Sequence, residues 1–143
     1  MKLFTIGFTR SSAERFFGRL RRAKATSLVD VRLNNGSQLA GFAKRDDLAW
    51  LTGELCGIPY RHALELAPTV GLLDAYRKKH VDWEGYANAF GQLIRDRAIE
   101  TADPAGFAGA CLLCSEAAPH RCHRRLVAEY LAAAWDDVDV VHL

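Results

Sequence analysis

Residues 107–131 read FAGACLLCSEAAPHRCHRRLVAEYL, and the fold is decided in this stretch. Phe107 to Leu113 is a short apolar run, of a length and flanking that suit a buried strand. The chain then reaches Cys114, crosses a small polar loop, and enters a helix at about Cys122. Leu126, Val127, Tyr130, Leu131 and Ala134 share one face of that helix. A strand that ends in a polar loop feeding a helix N-terminus is where an α/β protein places its ligand. Cys114, Glu116, His120, Cys122, His123 and Arg124 lie in or beside this junction.

Working outward, Lys2 to Ile6 reads as a first strand that stops at Gly7. Ser11 with Glu14 fits a capping box opening a helix that carries Ala13, Phe16, Phe17 and Leu20 on one face. Ser27 to Val31 is a second buried strand, which completes a β-α-β unit of parallel sense. After the turn signal Asn34-Asn35-Gly36, Asp46 or Asp47 caps a helix closed by Gly57. Ile58 to His62 is a short third strand, and Pro59 argues for an edge position. Thr69 and Asp82 cap two further helices, whose aromatic residues read as core and lid. Val138 to Leu143 is a final short strand, of a kind that can pair across a homodimer. The expectation is a single domain over residues 1–143: an α/β three-layer sandwich, Rossmann-like, with a mostly parallel sheet of about five strands flanked by helices.

Half of the 143 residues are hydrophobic and a quarter are charged, which is ordinary soluble composition. A net charge of +2 does not demand a polyanion as partner. The start, MKLFTIGFT, lacks the features of a signal peptide, and no stretch approaches a membrane span. A cytoplasmic protein with no membrane contact and reduced thiols is therefore expected.

Asp30 and Arg32 lie two apart at the end of the second strand, so both face the same way. Arg32 there would hold a carboxylate or phosphate, with Asp30 orienting it or acting as a base; a structural ion pair is the alternative. Cys114 at a strand end and Cys122 at a helix start are candidate nucleophiles, whereas Cys56 and Cys111 read as packing. Glu116 is the carboxylate best placed for acid–base work, with capping as its alternative role. Ser37, His123 and Arg124 are candidate ligand contacts. The loop does not meet the cysteine–five-residues–arginine spacing of phosphatases, because five residues after Cys114 bring His120 and six bring Arg121. Cys114, His120, Cys122 and His123 are an acceptable zinc-ligand set by type. Adjacent Cys122 and His123, however, would project about 100° apart on a helix, so no metal and no other cofactor is expected.

The motifs TIGFT, LVDVR, GFAKRDDL, GIPYRH and LLCSEAAPHRCHRRLVAEYL, in this order, resemble the uncharacterised bacterial family called domain of unknown function 488. The resemblance covers nearly the whole chain and implies a compact α/β domain. It points to Asp30, Arg32, Ser37, Cys114, Glu116, Cys122, His123 and Arg124, and it implies no reaction. The expected function is an enzyme acting on a small anionic ligand: a nucleotide, a nucleic-acid fragment or a phosphorylated metabolite. The alternative is a non-catalytic binding module, zinc-stabilised or plain, that contacts nucleic acid or protein.

Overall fold

The computed structural model describes residues 1–36 and 41–143. Five strands run β1 (Lys2–Gly7), β2 (Ser27–Asp30), β3 (Tyr60–His62), β4 (Ala110–Cys114) and β5 (Asp139–His142). All neighbouring pairs are parallel, and the spatial order is β3-β2-β4-β1-β5. The helices are α1 (Ala13–Ala23), α2 (Arg45–Cys56), α3 (Val70–Arg77), α4 (Trp83–Asp96) and α5 (His123–Ala134). This is the three-layer α/β sandwich expected from the sequence, with a sheet that is parallel throughout. Among the described residues, no helix is long and apolar enough to cross a membrane.

The strand order dictates which face each helix covers. The chain leaves β1, skips one strand position to lay down β2, and continues the same way to β3. It then returns to insert β4 in the gap and travels on to β5. Crossovers between parallel strands are right-handed, so reversing the direction of travel moves the helices to the opposite face. Two separate cores follow. Phe4, Ile6, Leu28, Cys111 and Leu113 pack against Phe16, Phe17, Leu20 and Leu48 of α1 and α2. Leu3, Val29, Ala110, Leu112 and Cys114 pack against Phe90 and Ile94 of α4 and Val127 and Leu131 of α5. The alternation along β4, buried at all five positions, sends Cys114 to the α4–α5 side and its neighbour Leu113 to the other.

Local chemistry fixes the helix ends. Thr69 caps α3 through Leu72 N, and Asp82 caps α4 through Gly85 N. Gly57 closes α2 in the left-handed region at φ 66°. The first helix is capped one residue later than the sequence suggests. Ser12, not Ser11, accepts from the Arg15 amide at 3.2 Å, while the Ser11 hydroxyl accepts from the Arg19 guanidinium. Likewise α2 begins at Arg45, so Asp46 and Asp47 lie inside its first turn, where their charges suit the positive end of the helix dipole without capping it. β3 and β5 are the two edges of the sheet.

Candidate active site

The carboxyl ends of β2 and β4 lie side by side, with Asp30 registered against Leu113. Beyond them opens a cavity of about 430 Å³. Its lining includes Arg32, Cys114, Glu116, Cys122 and His123 from the strand ends and the α5 entrance. Pro68, Tyr76, Arg77, Trp83 and Tyr86 form the opposite wall, from α3, α4 and the segment before them.

Asp30 and Arg32 form a buried pair, the carboxylate wholly so and the guanidinium 3% exposed. Arg32 Nε donates to Asp30 Oδ1 and Nη2 to Oδ2, each at 2.8 Å, a two-point fork. Oδ2 also accepts from the Tyr60 hydroxyl and from Asn35 Nδ2. A second bond from Arg32 Nη2, to Ala43 O at 2.8 Å, and the Phe8 ring 5.0 Å away complete its surroundings. Its other terminal nitrogen, Nη1, is buried with no hydrogen-bond partner among the described residues. A buried guanidinium nitrogen without an acceptor is costly unless a ligand supplies one. Asp30 itself lies beneath Arg32 and does not line the cavity.

At the floor, Cys114, Cys122 and His123 converge, all three buried, with one donor atom from each within 4.8 Å of the others. The expectation that Cys122 and His123 diverge as helix neighbours fails for a local reason. Cys122 is the N-cap of α5, with extended backbone at φ −135° and ψ 137°, so the helical angle between successive side chains does not apply. His123 Nε2 lies 2.6 Å from the carbonyl of Val31, which makes it the protonated nitrogen and leaves Nδ1 with its lone pair. Nδ1 is 3.7 Å from Cys114 Sγ. Burial keeps the His123 imidazole below its usual pKa, hence neutral. The Cys122 thiol, donating to Cys114, pulls the Cys114 pKa down against the opposing effect of burial. The same bond, with burial, drives the Cys122 pKa up. Cys111 is buried on the other face of β4, and burial raises its pKa as well.

Arg124 is fully buried and lies outside the cavity lining. Its guanidinium donates to the carbonyls of Glu116 and Ala117 and to the Thr5 hydroxyl, which fastens the loop after β4 down onto β1. Gly7 makes this possible: a Cβ at that position would stand 1.7 Å from the Glu116 carbonyl oxygen. The Glu116 side chain is exposed at the cavity's edge. His120 is exposed and is not among the lining residues. Ser37 lies outside the described residues.

The family model for domain of unknown function DUF488 matches residues 12–131, well over half of the chain. The chain belongs to the DUF488 family. No curated protein and no solved structure matches it. In this DUF488 domain the matched span contains every lining residue of the cavity. The aromatic wall is the part that the sequence reading assigned to core and lid. Tyr76, Trp83 and Tyr86 do pack together, with Tyr76 and Tyr86 ring centroids 4.8 Å apart, but the same cluster lines the cavity. Its only sequence signal is helical spacing, which packing explains equally well. Arg77 and Arg121 were likewise indistinguishable from solvated surface charge.

Proposed function

We propose that the protein is an enzyme that acts on a small anionic ligand carrying a planar ring, such as a nucleotide, a nucleic-acid fragment or another phosphorylated metabolite. The observation that carries this reading is a single cavity in which Arg32, Arg77 and Arg121, the Tyr76–Trp83–Tyr86 wall and the Cys114–Cys122–His123 cluster meet. Its volume of about 430 Å³ suits a ligand of mononucleotide size. Three guanidinium groups against one carboxylate favour an anion. Nη1 of Arg32, without a partner among the described residues, is a donor held in place before any ligand arrives. Rings along one wall offer a face for stacking.

In this reading Cys114 at the floor and Glu116 at the edge of the cavity are the groups that face the ligand's reacting end. Asp30 positions Arg32, and Arg124 positions the loop that bears Glu116. Titration calorimetry with inorganic phosphate and nucleoside monophosphates tests the binding. Ring-bearing ligands should bind more tightly than phosphate, and Arg121→Gln, an exposed position, should weaken binding without lowering the melting temperature. Phosphorus NMR of the bound ligand then tests for reaction. Binding without conversion favours the second reading, a non-catalytic binding module, for which the deep burial of the cysteine–histidine cluster speaks. Absence of any binding refutes the first reading.

A further inference from the structure

We infer that Cys114, Cys122 and His123 form a binding site for a soft divalent metal ion, zinc above others. The argument begins with donor type. Two thiols and an imidazole suit zinc, while hard cations such as magnesium prefer oxygen. Geometry comes next. Around tetrahedral zinc, with Zn–S about 2.3 Å and Zn–N about 2.0–2.1 Å, neighbouring donors sit roughly 3.5–3.8 Å apart. Cys114 Sγ and His123 Nδ1 are 3.7 Å apart, and all three donors lie within 4.8 Å of one another. Cys114 Sγ also lies 4.0 Å from His123 Nε2, to the side of the ring, so closing on a metal takes a rotation of the Cys114 side chain or of the imidazole.

The imidazole is prepared in the manner of a metal ligand. A ligating histidine characteristically gives its other N–H to a carbonyl or carboxylate, which fixes both tautomer and ring orientation. His123 does so through Nε2 to Val31 O at 2.6 Å, and Phe90 packs edge-on against the ring at 5.4 Å between centroids. Electrostatics point the same way. Two thiolates in a buried cluster are unfavourable alone, but two thiolates, a neutral imidazole and a divalent cation sum to zero charge. Binding forms two metal–sulfur bonds and one metal–nitrogen bond, and the thiol protons that remain pass to solvent.

Three protein ligands leave one tetrahedral position vacant, the pattern of a catalytic rather than a purely structural zinc. All three residues line the cavity, so that position is reachable by water or by an anionic ligand held at Arg32. The inference goes beyond the proposed function, because it stands on the three donors whatever else the cavity accepts.

The test uses the full chain. After equilibration with zinc chloride and removal of excess, elemental analysis should find one zinc per chain. In the wild-type protein, zinc should slow iodoacetamide modification of Cys114 and Cys122 by about tenfold or more while leaving half-buried Cys56 unchanged. Cobalt should give visible ligand-field bands with sulfur charge transfer, retained in Cys56→Ser and lost in Cys114→Ser, Cys122→Ser and His123→Gln. Substoichiometric zinc, failure to protect either thiol, or a cobalt spectrum indifferent to the three substitutions overturns the site. The alkylation experiment needs no variant, so a misfolded substitution cannot decide the matter. Nucleotide binding with no zinc binding sinks this inference and leaves the proposed function standing; zinc binding with no nucleotide binding does the reverse.

Discussion

Replacing Asp30 with alanine should be among the most damaging single changes in this protein. The carboxylate accepts from five donor atoms: the Arg32 backbone N, Nε and Nη2, Asn35 Nδ2 and the Tyr60 hydroxyl. Asp30→Ala leaves the Arg32 guanidinium, 3% exposed, with one carbonyl bond and the face of Phe8. Breaking a buried ion pair by removing one partner costs about 3–5 kcal/mol, because the other charge stays behind without compensation. A domain of this size has roughly 5–15 kcal/mol in all. With a urea slope of about 1–3 kcal/mol/M, the unfolding midpoint should fall by roughly 2 M. Circular dichroism in urea gives the number directly. The double variant Asp30→Ala/Arg32→Met removes both charges and should recover a substantial part of the loss, since neither ion is then stranded. A single variant within about 1 kcal/mol of wild type, the range of an exposed pair, would refute the reasoning. Simple additivity of the two substitutions would refute it as well. Arg32→Ala is for the same reason a poor probe of ligand binding: it would strand Asp30.

Two further outcomes are expected. Gly7→Ala should destabilise by about 1–3 kcal/mol or more, because its Cβ would meet the Glu116 carbonyl oxygen at 1.7 Å where ordinary contact begins near 3.4 Å, so the loop must lift off Arg124; a thermal melt identical to wild type would show that the loop does not cross Gly7. In the presence of a chelator, stability should fall as pH drops below about 6.5, since burial holds the folded His123 pKa below that of the unfolded chain, which then takes up the proton more readily. His123→Gln should flatten that dependence between about pH 7.5 and 5, and parallel curves for the two proteins would count against a buried neutral imidazole.

The class of fold was legible because each of its elements announces itself over a few consecutive residues. The run ACLLC is apolar on both faces, as a central parallel strand must be, and Thr69, Asp82 and Gly57 mark helix ends through bonds made within one turn. The choice between Ser11 and Ser12 was not legible, because both offer a hydroxyl and only the path of the chain decides which reaches the Arg15 amide. Much of the candidate site was legible too, since Asp30 and Cys114 end, and Arg32 and Glu116 follow, strands whose carboxyl ends collect ligands.

What tertiary structure alone decided is how those residues face one another. Insertion of β4 between β1 and β2 sets the loop of Glu116 across Gly7 and locks Arg124 inside, whereas its sequence neighbours Arg121 and Arg125 differ from it in nothing but register. The aromatic wall came from a segment more than twenty residues upstream of β4, brought over the strand ends by the crossover through α3 and α4. Cys122 and His123 converge on Cys114 because the last residue before a helix has extended backbone, a boundary that spacing locates only to within a residue or two. Sequence determined which chemical groups stand at the ends of the strands; the order of the strands determined that they form one site.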